Sequence, residues 1–244
     1  MSAPPNTAPA RFHYVGSELE LFARASRWKA YWAGQVGRYV RGRVLDVGAG
    51  LGNNVAPLLS PQVQSWLALE PDAALVAEMH ARRATGTLDP RCMPARGTLA
   101  ELPAEALFDA ILYIDVMEHI ADDHAEAARA AAHLAHGGHL IVLVPAHQFL
   151  FSAFDAGIGH YRRYNRRSLL ALAPPGCRLE RFRMLDSVGF LASLANRLLL
   201  RAALPSSGQI LLWDRLMVPL SRLLDPLRAW RFGKTAVAVW TRQS

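Results

Sequence analysis

Arg43-Val44-Leu45-Asp46-Val47-Gly48-Ala49-Gly50-Leu51-Gly52-Asn53-Asn54 is the stretch from which the fold is read. An apolar, β-branched run ends in an acid, and three glycines follow at alternate positions. This pattern predicts a buried parallel strand, a tight turn and a helix start. The glycines let the backbone turn sharply and let a ligand come close to the main chain. The free N–H groups of the helix start then face that ligand. The dinucleotide fingerprint G-x-G-x-x-G needs a glycine where Asn53 stands, whereas Gly52 completes G-x-G-x-G instead.

Working outward, Asn54 is a candidate cap for a helix reaching Leu59, and Ser65–Leu69 reads as the second strand, ending at Glu70. An acid about 20 residues after the glycine turn, at the end of strand two, is where a doubly wound sheet holds ribose hydroxyls. Pro71 and Asp72 already supply the start of the helix from Ala73 to Arg82, which leaves Glu70 for a ligand. A short third strand near Arg91–Ala95 runs into Gly97-Thr98-Leu99. Phe108–Asp115 is a near-continuous apolar fourth strand, suited to a central parallel position. Asp115, Val116, Met117, Glu118 and His119 therefore fall at its carboxyl end, beside a ligand cleft. Asp122 and Asp123 cap a helix to about Ala135, which Gly137-Gly138 end, and His139–Val144 is strand five, closed by Pro145.

The glycine turn behind Asp46, the acid ending strand two, the Phe-Asp strand four and the Gly-Gly pair before strand five together resemble the class I S-adenosylmethionine-dependent methyltransferases. The likeness covers roughly Leu45 to Pro145. It implies an α/β fold: a Rossmann-like seven-stranded sheet, mostly parallel with an antiparallel last strand, and helices on both faces. Arg178–Leu185 and Ala236–Thr241 would be strands six and seven, with a helical insertion at about 188–232 between them. It implies S-adenosyl-L-methionine as cofactor and S-adenosyl-L-homocysteine as product. Asp46 would orient the amino-acid moiety. Gly48, Ala49, Gly50 and Gly52 would allow close approach. Glu70 would hold the ribose, Pro71 next to it would also belong to the cofactor-binding set, Thr98 and Leu99 would border the adenine, and Asp115 and Val116 would line the floor of the cleft. Such enzymes often carry an N-terminal lid helix. Here that helix is expected at 17–40, started by Ser17 and Glu20 as a capping box, with Tyr14, Trp28 and Tyr31 as candidate lid residues. Leu19, Phe22, Trp28, Tyr31 and Trp32 equally make one aromatic face for packing on the sheet.

The segment after Pro145 carries Pro145-Ala146-His147 and His160-Tyr161-Arg162-Arg163-Tyr164. With Trp28-Lys29 and Gly233-Lys234, these words resemble a type 11/12-like bacterial subgroup often found beside glycosyltransferases. The subgroup implies a small-molecule or glycan- or lipid-linked acceptor. An oxygen or nitrogen nucleophile can need a general base near neutral pH, and histidine is the usual one. His160, His119 and His147 are the candidates, His160 first, against a purely structural role for each. Arg162 and Arg163 either clamp an anionic acceptor or hold the loop by pairing with Asp155. Ser168 is read as the cap of a short helix through Leu172. Asp115-x-x-Glu118-His119 is similar to the E-x-x-E-H word of metal-holding small-RNA 2′-O-methyltransferases. Its first acid is the shorter Asp, however, and no second motif of that family is present, so no metal is assigned.

The 244 residues are 52% hydrophobic, enough for one large domain over 17–244 behind a disordered lead-in at 1–16. The charge of +7 is spread without a long like-charge run, so it excludes no class and favours solubility over nucleic acid. Cys92 and Cys177 lack metal or redox spacing. No transmembrane stretch or signal peptide is visible, which makes the cytoplasm the expected location. In the insertion, arginines alternate with leucines. This predicts a helical cover on the acceptor site, with a peripheral membrane face or a dimer contact as alternatives. Oligomeric state is left open. The rival functions are an RNA methyltransferase, a protein that binds the cofactor without transferring methyl, and a dinucleotide oxidoreductase.

Overall fold

The computed structural model describes residues 25–195, Arg197 and 207–243. Tyr14, the expected cap at Ser17 and Glu20, the lead-in at 1–16, and Leu198, Leu199, Pro205 and Ser206 of the insertion lie outside the described residues.

The elements in chain order are α1 (Ser26–Val36), β1 (Gly42–Val47), α2 (Val55–Leu58), β2 (Val63–Glu70), α3 (Ala73–Ala84), β3 (Cys92–Arg96) and β4 (Phe108–Ile114). Then come α4 (Asp123–Ala132), β5 (Leu134–Pro145), α5 (Ala153–Gly157), α6 (Arg166–Ala171), β6 (Cys177–Leu185), α7 (Ser187–Ala195), α8 (Ser207–Leu212), α9 (Val218–Leu227) and β7 (Thr235–Arg242). A π-helical segment, Trp213–Met217, joins α8 to α9. The strands form one seven-stranded sheet in the order β3-β2-β1-β4-β5-β7-β6. All pairs are parallel except those made by β7, which runs antiparallel to both β5 and β6. The expected sheet and its antiparallel last strand are therefore both present.

Strand alternation divides the core. Val44, Trp66, Ala110 and Leu112 face one layer, into which α1 packs Trp28, Tyr31, Trp32 and Val36. Leu45, Ile111, Tyr113 and Val142 face the other, against Ala127 and Ala130 of α4. Chain order reverses between β1 and β4, so the crevice at their carboxyl ends is the topological switch point where this class of sheet binds ligands.

Some local starts differ from the sequence reading. Asn54 does not cap a helix: its amide donates to Asp46, and α2 is a single turn. A buried carboxylate without a donor is costly, and the Asn54 amide supplies one to Asp46. Asn165 caps α6 by accepting from the Ser168 N–H, and Ser168 is the returning third residue of that capping box. Gly137-Gly138 lie within β5 rather than past the end of α4, which stops at Ala132.

Three buried aspartates tie α1 and the insertion to the sheet. Asp214 accepts from the Trp28 N–H at 2.8 Å, satisfying the first turn of α1. Asp225 accepts from the Tyr31 hydroxyl at 2.7 Å and from the N–H groups of Asp186 and Ser187. Asp186 accepts from the Trp213 indole at 2.6 Å and the Ser221 hydroxyl at 2.7 Å, with the Lys234 ammonium at 3.4 Å. Asp225→Ala would strand three donors, each costing about 1–3 kcal/mol when buried unpaired. Chemical denaturation should show a loss of at least about 3 kcal/mol. A loss below about 1 kcal/mol would mean that water replaces the carboxylate and that the insertion is not anchored there.

Candidate active site

The glycine turn leaves β1 with Gly48, Gly50 and Gly52 all at positive φ, between 57° and 73°. The N–H groups of Gly48 and Ala49 both donate to the Leu69 carbonyl, at 2.8 and 3.1 Å, which pins the turn to the end of β2. A Cβ at Gly48 would stand 2.7 Å from Val116, so the residue types allow the loops after β1 and β4 to touch. Gly52 differs: a Cβ there would stand 3.1 Å from Leu88, so on that side the residue meets the core.

Glu70 closes β2 and links the two sides of the turn. Its carboxylate accepts from the Gly50 N–H at 2.9 Å and from the Asp72 N–H at 3.0 Å. Burial pushes this carboxyl up, and the two backbone bonds pull it back. Asp72 caps α3 through the N–H groups of Ala74 and Leu75, and Pro71 sits half-buried between the two acids. Asp46 is fully buried under the turn. Burial lifts its carboxyl to about 7 against the bond from Asn54. Thr98 is half-buried and donates to Glu101, while Leu99 is buried beneath it; both follow Gly97, whose N–H donates to the Glu70 carbonyl.

At the end of β4 the backbone turns at Asp115, with φ 55°. Asp115 is exposed, yet surrounding protein raises its carboxyl to about 6, against the pull of His160, Lys234 and Arg163. Asp115 thus stands exposed just past the carboxyl end of β4. Met117–His119 form a 3₁₀ turn that carries Glu118 and His119 inward. Glu118 is 0% exposed, and neither of its carboxylate oxygens has a hydrogen-bond partner. Burial, then the Asp115 charge, pushes its carboxyl well above the usual range. Burial, followed by the charge of His160, lowers His119 to about 4.

The loop after β5 folds over this turn. The Tyr161 N–H donates to the Glu118 carbonyl at 2.8 Å, and the Tyr164 hydroxyl donates to Asp123 at 2.6 Å. Arg162 pairs with Asp123 at 2.7 Å, and Arg163 grips Asp155 with two nitrogens at 2.7 and 2.9 Å. Of the two readings of these arginines, the loop-holding one describes the structure. Although burial raises Asp155, the bonds from His160 and Arg163 hold it well below the usual carboxylate range. His160 meets Asp155 through Nδ1 at 3.0 Å, and its ring stands edge-on to His119 with centroids 4.5 Å apart.

His160 and His119 are thus brought together with Glu118. His147 is held elsewhere, its Nε2 3.0 Å from the Gly233 carbonyl and its ring between Phe149 and Phe190. Trp28 is in the core against Trp213. Sequence reading passed over Lys234, which stacks its ammonium 3.8 Å from the Trp213 ring centre and is coupled electrostatically to Asp115. Gly233-Lys234 gave the only hint, as part of a family word.

A family model described as a methyltransferase domain matches residues 17–187. Over 104 residues the chain is 34% identical to a ubiquinone biosynthesis O-methyltransferase of Bradyrhizobium sp. (strain ORS 278), covering 41% of this chain and 38% of that protein. The chain thus spans well under two thirds of the length of this relative. A protein of the same description from Xanthomonas campestris pv. campestris (strain B100) is 27% identical over 203 residues, covering 70% of this chain and 82% of its own. Among solved structures, geranyl diphosphate methyltransferase in complex with S-adenosylmethionine superimposes with a TM-score of 0.65 at 14% identity, covering 97% and 93% of the two chains.

The buried Asp46 yields a pH test. Its folded pKa of about 7 lies above the roughly 4 of an unfolded aspartate. The folded chain therefore binds that proton more tightly, and stability falls as pH rises from about 4 through about 7. Asp46→Asn should melt with the wild type near pH 4 and above it at pH 8. Equal melting at both values would show that Asp46 is ionised at no cost.

Proposed function

The chain belongs to the methyltransferase family, and we propose that it moves the methyl group of S-adenosylmethionine onto an oxygen of a small-molecule acceptor. The observation that carries the cofactor assignment is Glu70. Two backbone donors occupy part of its carboxylate, and a carboxylate offers about four acceptor sites, so room is left for a pair of ribose hydroxyls. Glu70 and Asp115 also stand as acids at the switch point, with Asp46 buried beneath the glycine turn, in a chain of net charge +7. Acids so placed suit a cofactor that carries a sulfonium and an ammonium. Asp46 would face the amino-acid part, Pro71 would flank the ribose, and Thr98 and Leu99 would flank the base. The bound cofactor supplies a methyl on a positively charged sulfur, which leaves as a neutral thioether.

Oxygen as the acceptor atom is supported by the O-methyltransferase relatives. This chain's part is to place that oxygen and take its proton. His160 is the side chain best arranged for it. Asp155 holds Nδ1, which puts the proton there and leaves the Nε2 lone pair free. His119, lowered to about 4, is a weaker base, and the Nε2 of His147 is used on a carbonyl.

A lipid-linked acceptor is the second reading, favoured by one surface. Leu212, Leu216, Leu220, Leu223 and Leu227 lie at helical spacing along α8, the π segment and α9, and are 49–82% exposed. Arg215, Arg222, Arg228 and Arg231 stand exposed around them. A leucine stripe with a basic rim fits the headgroup region of an anionic bilayer. No helix among the described residues is long and apolar enough to cross a membrane.

Two experiments test these readings. Calorimetric titration with S-adenosylmethionine and S-adenosylhomocysteine should give micromolar binding that weakens at least about tenfold in a folded Glu70→Ala variant. No binding by folded wild type would end the methyl-transfer reading. For the surface, wild type should sediment with phosphatidylglycerol vesicles and lose that with Leu220→Glu plus Leu223→Glu. Equal sedimentation of both proteins would remove the bilayer contact.

A further inference from the structure

We propose that Arg38, Arg181 and Arg183 form a binding site for one phosphate group, in the seam between the end of α1 and the edge strand β6. Three guanidinium groups converge there on oxygens that carry no charge. Arg38 Nη2 and Arg181 Nε both donate to the Tyr39 hydroxyl, Arg181 at 3.2 Å. Arg181 Nη1 donates to the Gln35 carbonyl at 3.0 Å, and Arg183 Nη1 donates to the Gln35 side-chain oxygen. Among the described residues, none of the three arginines has a carboxylate within ion-pair distance. Glu180, the acid next to Arg181 in the chain, is engaged by Arg178.

Like charges at short range repel, and they do so more strongly where water is partly excluded. Arg181 and Arg183 are half-buried, while Arg38 is exposed at the solvent side. Burial first, and then the Arg181 charge, lower Arg183, with Arg38 adding to them against Tyr31 and Tyr39. A guanidinium does not give up its proton in a protein, so an anion is what relieves the cluster. Two further features hold the three groups together. The first is a β-bulge in β6. Leu179 pairs with Trp240 and Arg181 with Val239, which leaves Glu180 opposite no residue of β7. Beyond the bulge Arg181 and Arg183 stand opposite Val239 and Val237, whose side chains belong to the core layer of α1. The second is stacking. Arg38 and Arg181 place Cζ 4.6 and 5.5 Å from the Tyr39 ring centre, and Arg183 places Cζ 3.5 Å from that of Trp230. Rings under planar forks fix their direction. Protection of an edge strand requires a charge on the strand, not cations from two elements gathered on shared oxygens.

The donors decide the ligand class. Each fork keeps nitrogens outside these bonds: Nε and Nη1 of Arg38, Nη2 of Arg181, and Nε and Nη2 of Arg183. Arginine forks match phosphate oxygens in pairs. A phosphate group also brings a charge of about −1.5 to −2 at pH 7, where a carboxylate brings one. The site takes that group as a free ion or as the end of a small organic molecule. Gln35 belongs to α1, Arg38 and Tyr39 to the 3₁₀ turn that follows it, and the other two arginines to β6. A bound phosphate would therefore tie α1 to the edge of the sheet. No residue of the glycine turn or of the loops after β4 and β5 takes part, so the site stands independently of the methyl-transfer reading.

The test is calorimetric titration of the full chain with inorganic phosphate, pyrophosphate and glycerol phosphate, at constant ionic strength balanced with chloride. Melting is followed in parallel. Wild type should bind pyrophosphate saturably at one site, and the ligand should raise its melting temperature. Arg181→Gln and Arg183→Gln should each weaken that binding about tenfold or more and lose most of the rise. Arg181→Lys keeps the charge without the fork and should fall between them and the wild type. Exposed Arg167→Gln should change nothing. The ligand-dependent rise is the readout, because a purely structural bond to Gln35 or Tyr39 does not supply one. Glycerol phosphate bound as tightly as inorganic phosphate supports an organic phosphate as the ligand. A preference of about tenfold or more for the inorganic ions supports free phosphate. Folded wild type that binds none of the three saturably overturns the site, even where it binds a single-stranded RNA oligonucleotide. Binding unchanged in both Arg181→Gln and Arg183→Gln overturns it as well. If those variants fail to fold, Arg38→Gln, which removes an exposed side chain, decides by the same measure.

Discussion

There is no room for a side chain at Gly48, and much of the ligand-binding end of the sheet follows from that. The turn after β1 and the loop after β4 meet at this residue, with Val116 occupying the space a Cβ would fill. Because the chain passes from β1 to β2 on one side and reaches β4 on the other, these two loops are the walls of the switch-point crevice. A wider residue would push the walls apart and unseat Gly48 and Ala49 from the Leu69 carbonyl. It would also move the Gly50 N–H away from Glu70. The Glu70 carboxylate thus meets the Gly50 N–H across a turn that has no room for a Cβ at Gly48.

Buried carboxylates fix most of what surrounds that crevice, each by a different balance. Asp155 and Asp123 are held charged by arginines and hydroxyl or imidazole donors, and they clamp the loop after β5. Asp186, Asp214 and Asp225 take N–H, indole and hydroxyl donors and seat the helical insertion on α1 and β6. Each of these has its hydrogen bonds made, as a buried charge requires. Glu118 breaks the pattern, and it does so at the carboxyl end of the central strand, where this fold places its chemistry.

The sheet was legible because its signals are local. The apolar run of β4 and the alternate glycines each read from a few neighbouring residues, and both are observed. Glu70 was legible for the same reason, since its place depends on one strand and one turn. What could not be read was pairing across distance. Asn54 looks like a helix cap until Asp46 is known to lie under it. Arg163 looks equally like an acceptor clamp until Asp155 is seen to occupy both its arms. Trp28 looked like a lid residue, and its aromatic face is explained equally well by Trp213, from 185 positions further on. Lys234 carried no local signal: its ion-pair partner is Asp186, its ring neighbour is Trp213, and Asp115 adds a weaker pull, all of them far away in sequence.

The same distinction explains why three histidines of equal standing in the sequence separate in the fold. All three lie on loops at the carboxyl edge of the sheet, so position alone does not rank them. Their outer nitrogens do. His147 spends Nε2 on a backbone carbonyl, which leaves it a structural donor packed among phenylalanines. His119 is half-buried against another imidazole, and burial removes its readiness to hold a proton. His160 alone of the three has a carboxylate on its inner nitrogen and an unsatisfied carboxylate facing its outer one. An imidazole arranged in this way has its tautomer chosen for it, and its free lone pair is aimed at whatever positive charge, proton or cation, Glu118 requires. Electrostatic demand at this end of the sheet is therefore left unmet at Glu118, opposite the outer nitrogen of His160.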